Sequence, residues 1–120
     1  MSVLSYQRVR HSVETPRETE CRLIAEISTE MAGAWETGAR GAALMPALHR
    51  NREMWGTFAA ACGASGNALP PAVRAQIMSI ALWVDRFTSE VVAGRETVDD
   101  LLSVNRDMLE GLSGTRAVAA

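Results

Sequence analysis

Apolar residues in this chain recur at steps of three and four over almost its whole length, and nowhere do they alternate with polar ones as in a half-buried strand. That period lines side chains along one face of a helix, so the chain has to fold by packing helix stripes against one another. Four segments carry the pattern. Leu23, Ile24, Ile27, Met31, Ala34 and Trp35 fall on one stripe, with Arg22, Glu26 and Glu30 turned away. Leu44, Leu48, Asn51, Trp55, Phe58 and Cys62 form a second stripe. The third runs through Val73, Ile77, Ile80, Val84, Phe87 and Val91, and Met78, Leu82 and Trp83 broaden it. Val98, Leu101, Leu102, Asn105, Met108 and Leu109 make the fourth. The third is expected to be the central, most buried helix.

Helix punctuation separates these stripes. At Thr15-Pro16-Arg17-Glu18 the threonine can accept from the N3 amide while Glu18 reaches back to the threonine amide, and proline at the first helical position has no amide proton to lose. Gly38 and Gly41 bracket the first break, and Gly63-Ala64-Ser65-Gly66-Asn67 the second, leading into Pro70. Gly94 closes the third helix, and Thr97 with Asp100 repeats the capping signal. The predicted fold is all-α, a compact bundle of about four to five helices. It comprises a short N-terminal helix carrying Leu4, Tyr6, Val9 and Val13, then long helices near residues 16–37, 43–62, 70–93 and 98–111. One domain is expected over 1–120, with its core at about 6–112 and a flexible tail at 113–120.

A chain of 120 residues has the size of one domain and buries roughly two-thirds of the surface exposed by its unfolded form. An apolar share of 48% agrees with a folded core. All 12 basic residues are arginines, dispersed among 14 acids for a net charge of −2, which argues against a dominant nucleic-acid surface. Cys21 and Cys62 sit in apolar helical surroundings and read as reduced core thiols. No signal-peptide run opens the chain, and the longest apolar stretch, Ile77 to Val84, is far shorter than the about 20 residues of a membrane span. The expected location is cytoplasmic, without membrane insertion.

Chemistry-bearing patterns are sparse. His11 and His49 have no partner at metal-ligand spacing, and no Ser-His-Asp or Cys-His arrangement, phosphate-cradling loop or carboxylate pair stands out. The expectation is a binding protein, not an enzyme, with no cofactor and no metal. Two asparagines interrupt apolar stripes in similar settings: Leu48-His49-Arg50-Asn51-Arg52-Glu53-Met54 and Leu102-Ser103-Val104-Asn105-Arg106-Asp107-Met108. Each reads either as a structural hydrogen bond within the bundle or as a partner contact. Trp55, four residues after Asn51, is either core or, if partly exposed, a binding anchor. Arg17, Glu18, Glu20 and Arg22 form a charged turn that reads as solvated ion pairs and capping, or as the rim of a groove.

Several of these stretches together resemble the FlaF flagellar family of alphaproteobacteria. They are Pro16-Arg17-Glu18-Thr19-Glu20-Cys21-Arg22-Leu23, Ala47 to Trp55, Asn67-Ala68-Leu69-Pro70 with Val73 to Ile80, and Asn105-Arg106 with Gly111-Leu112. The similarity spans roughly Tyr6 to Leu112, departing at Cys21, where alanine is usual, and at Val73, where leucine is usual. The resemblance implies a part in flagellin production and flagellum assembly, opposite a translational regulator called FlbT, with flagellin as a bound secretion cargo. Flagellin ends are amphipathic, so an apolar groove on a helical protein could cover one of them. Arg17, Glu20, Asn51, Arg52, Trp55 and Arg74 are the residues expected at such a partner-binding face. Thr15, Pro16, Glu18, Asn67, Pro70 and Asn105 are expected to be structural. The alternative is a post-transcriptional regulator of flagellin acting with or against FlbT, with direct RNA binding disfavoured by the scattered arginines. A third is a structural subunit of a larger flagellar assembly.

Overall fold

A computed structural model describes the backbone of residues 13–119 and the side chains of residues 13–112. Of the short N-terminal helix expected from Leu4, Tyr6, Val9 and Val13, only Val13 is among the described residues, and it is exposed and not packed against the rest; His11 and the side chains of the expected tail also lie outside them. The described chain is all-α. Helix α1 spans Pro16–Glu36, a 3-10 turn spans Gly41–Leu44, and α2, α3 and α4 span Met45–Gly63, Pro71–Val92 and Asp99–Ala119.

Local chemistry sets the ends of these helices. Thr15 Oγ1 accepts from the Glu18 amide at 3.1 Å, and the Glu18 carboxylate accepts from the Thr15 amide at 3.3 Å, with Pro16 in the first turn. At the far end of α1 the Gly38 amide donates to Trp35 O at 3.1 Å and the Ala39 amide to Ala34 O at 3.0 Å, closing the last carbonyls in the two-bond pattern that requires a left-handed residue. Gly38 supplies it with φ 95°. Gly94, with φ 79°, ends α3 in the same way, through Gly94 N to Val91 O and Arg95 N to Glu90 O. Between α2 and α3, Asn67 Nδ2 donates to Ala61 O and its Oδ1 accepts from the Leu69 amide, both at 2.9 Å. Pro70 then caps α3, its carbonyl accepting from the Arg74 amide at 3.0 Å.

Two boundaries differ from expectation. Thr97 Oγ1 accepts from the Asp99 amide, not from that of Asp100, and it is the carbonyl of the buried Val98 that takes the first helical bond, from the Leu102 amide. Helix α4 continues to Ala119 instead of ending near Gly111, which is not among the glycines with positive φ and passes as an ordinary helical residue.

Helix α2 packs along α3 on one side and against α1 on the other, while α4 lies on α1 and meets α3 only lightly. The core therefore centres on α1 and α2: Ile24, Ile27 and Met31 from α1 meet Leu48, Met54 and Trp55 from α2, closed by Val98, just before α4, and Leu101 within it. Each such side chain, fully enclosed, stabilises the fold by about 1.5–3 kcal/mol. The expectation that the Pro71–Val92 helix is the most buried is overturned. Helix α2 buries Ala47, Leu48, Asn51, Met54, Trp55 and Cys62, whereas α3 leaves Val73, Met78 and Leu82 exposed, Leu82 at 65%. The apolar stripe of α3 is wider than the single face that α2 covers, and α4 is not placed to cover the remainder.

Candidate functional site

The two asparagines of the repeated sequence pattern meet each other. Asn105 Nδ2 on α4 donates to Asn51 Oδ1 on α2 at 2.8 Å and to Ser28 Oγ on α1 at 3.0 Å, and its Oδ1 accepts from Trp55 Nε1 at 2.8 Å. Asn51 and Asn105 are fully enclosed and Trp55 is 1% exposed. This junction ties α1, α2 and α4 together, and mispacking any of them would strand buried polar groups. Asn51 and Trp55, expected at a partner-binding face, thus offer no surface to a partner in this conformation. Their hydrogen-bonding groups are spent inside the bundle, although Asn51 Nδ2 itself has no partner.

The opposite side of α2 faces a groove. Arg52, Gly56 and Ala59 on α2 and Met78, Ala81, Leu82 and Asp85 on α3 line an open, mainly apolar depression of about 360 Å³. The helices run antiparallel here. Arg52 Nε lies 3.3 Å from Asp85 Oδ1, and Arg52 Nη2 donates to Asp85 O at 3.3 Å, closing one end. From there the depression runs past Gly56 and Ala59 on α2 and Ala81 and Met78 on α3, and Gly63 approaches Met78. A Cβ at Gly63 would come within 4.0 Å of the Met78 terminal methyl, consistent with that approach, while a Cβ at Gly56 would meet nothing within 4 Å. Small residues on α2 therefore form the floor, and the uncovered part of the α3 stripe forms a wall.

Of the residues expected at a partner face, Arg52 lies in this groove and Arg74 continues its α3 wall one turn before Met78. Arg74 is half-buried, and its Nε is closed off without a hydrogen-bond partner. Arg17 and Glu20 are half-buried on the first turns of α1 and do not line the groove. Gly56, Ala59, Met78, Leu82 and Asp85 were not singled out as binding residues from sequence. Their signal was the excess width of the α3 stripe together with small residues at steps of three and four on α2.

Elsewhere several surface charges are paired. Arg22 pairs with Glu14 and Glu26, Arg50 of α2 with Glu30 of α1, His49 with Glu53, and Arg95 with Glu90. Hydrogen bonds donated by Arg22 to Glu14 and Glu26 raise its pKa, and the bond from Arg95 holds the Glu90 carboxyl below its ordinary value. Arg40 lies over the Trp35 ring at 3.4 Å and donates to the carbonyls of Trp35 and Ala39. Cys62 is buried and Cys21 partly so, and both are free. Among the described residues no helix is long and apolar enough to cross a membrane.

A family model described as flagellar protein FlaF matches residues 2–112, nearly the full length of the chain, and the chain belongs to that family. No curated protein and no solved structure matches it.

Proposed function

We propose that this flagellar family member binds flagellin in the groove between α2 and α3, as a secretion chaperone or adaptor that promotes flagellin synthesis and export. It acts by binding and not by catalysis. The observation that carries this reading is the uncovered apolar wall of α3: Met78 at 41% and Leu82 at 65% exposure stand beside a floor of glycine and alanine. An exposed apolar strip flanked by polar groups is the form taken by grooves that hold amphipathic helices.

Co-purification followed by calorimetry tests it. The wild-type chain should retain flagellin, and Leu82→Asp should release it while helical circular dichroism stays unchanged, since that side chain is mostly exposed. Flagellin held equally by both proteins would remove the groove from the mechanism. The competing reading, post-transcriptional regulation with or against FlbT by direct binding of flagellin messenger RNA, is weakened because Arg22, Arg50, Arg52 and Arg95 each pair with an acid, which leaves Arg17, Arg74, Arg86 and Arg106 dispersed over three helices. A salt-sensitive shift of flagellin leader RNA by the pure protein would reverse that preference.

A further inference from the structure

The charges around the groove specify its occupant more narrowly than its shape does. Its α3 wall follows the spacing Arg74, Met78, Ala81, Asp85, the fourth, seventh and eleventh positions after the first, and so lies along one stripe of the helix. Asp85 is engaged by Arg52 at one end. At the other end Arg74 has no acidic partner among the described residues; it is half-buried with its Nε enclosed, so contact with a partner falls to its terminal nitrogens. Arg86, exposed one turn beyond Leu82 on α3, has no acidic partner among the described residues either. Three arginines thus border an apolar strip that holds one aspartate, in a protein whose net charge is −2.

We propose that the groove accepts an amphipathic helix of a partner protein whose apolar seam is bordered by carboxylates, with one carboxylate meeting Arg74 beyond Met78. From Arg52 to Gly63 the α2 floor is about 17 Å long at the helical rise, room for three turns of such a helix. The seam needs a small or slender residue over Gly56 and Ala59, where α2 presents no side chain beyond a methyl group, and larger apolar residues against Met78 and Leu82. A guanidinium with unused donors favours a carboxylate over an amide or hydroxyl, because the charge-assisted contact is shorter and stronger and can use two donors at once. The same positive rim disfavours a lysine-bordered helix, so charge as well as fit selects the partner. This deepens the proposed function and rests on it only for the identity of the partner as flagellin.

The test titrates the full chain by calorimetry with two synthetic helices of about 20 residues. Both carry the same seam of leucine and alanine, with rim positions all glutamate in one and all lysine in the other. The glutamate helix should bind at least tenfold more tightly. Arg74→Glu should reduce or invert that preference, and Gly56→Leu, which fills the floor, should abolish binding of both. If Gly56→Leu proves poorly folded, Leu82→Asp serves in its place. Equal affinity for the two helices, an unchanged preference in Arg74→Glu, or undiminished binding in both groove variants would overturn the proposal. Flagellin is titrated in parallel. Flagellin that binds the wild type and is lost from the groove variants supports the proposal and the flagellin reading together. Flagellin that binds wild type and groove variants alike overturns the groove while leaving the flagellin reading intact. Absence of flagellin binding, with the glutamate helix still selected, supports the groove's specificity and sinks the flagellin reading. A dimer in sedimentation that Leu82→Asp dissociates would assign the groove to a second copy of this chain and overturn the proposal.

Discussion

Asn105 and Asn51 are the same residue type, equally enclosed, and hydrogen-bonded to each other, yet replacing them with leucine should have very different consequences. Asn105 makes three bonds, accepting from Trp55 Nε1 and donating to Asn51 and Ser28. Leucine at 105 leaves the Trp55 N–H and the Asn51 carbonyl buried without partners, at about 1–3 kcal/mol each. The added apolar side chain recovers about 1 kcal/mol. The expected net loss is about 3 kcal/mol, a large fraction of the about 5–15 kcal/mol that holds a domain together. Asn51 accepts one bond, and its own Nδ2 is unpartnered. Leucine there removes that stranded amide and leaves Asn105 still donating to Ser28, so the losses and gains nearly cancel at about 1 kcal/mol or less. Urea titrations followed in parallel by tryptophan fluorescence and far-ultraviolet circular dichroism would measure both, provided the slopes agree with wild type. Equal destabilisation by the two variants, or a larger loss from Asn51→Leu, would refute the assignment of Asn105 as the hub.

Other perturbations address the backbone and the surface charges. Gly56→Ala should stabilise the protein by about 0.5–1 kcal/mol in thermal melts, since the position is helical and open. Gly94→Ala should cost about 1–2 kcal/mol because its φ is positive. Thr15→Ala should cost about 1 kcal/mol and speed amide exchange in the first turn of α1. Arg95 holds the Glu90 pKa down through hydrogen bonds at 2.6 and 3.1 Å. A depressed carboxylate contributes stability above its unfolded pKa and loses it as pH falls through the folded one. Arg95→Ala should therefore move the Glu90 carboxyl titration upward in NMR, and any stability difference from wild type seen at neutral pH should vanish once Glu90 is protonated.

How much of this was legible in the sequence follows the range of each interaction. The helices and the α1 start were readable, because a capping box joins Thr15 to Glu18 three residues away and a stripe repeats every three or four. The glycine ends of α1 and α3 were readable for the same reason. The α4 end was not: Gly111 can either close a helix or sit inside it, and its immediate neighbours do not decide between the two. The asparagine pattern was visible as a repetition without a meaning, since Asn51 and Asn105 are 54 positions apart and only their meeting turns two polar interruptions into one hydrogen-bonded junction. That meeting also placed Trp55 in the interior. The groove was the least accessible feature. Sequence by itself determined that the α3 stripe is apolar and unusually wide, because hydrophobicity and spacing are properties of each segment alone. Only the tertiary structure decided which part of that stripe is covered, because coverage depends on α2 packing against one of its faces while α4 lies on α1.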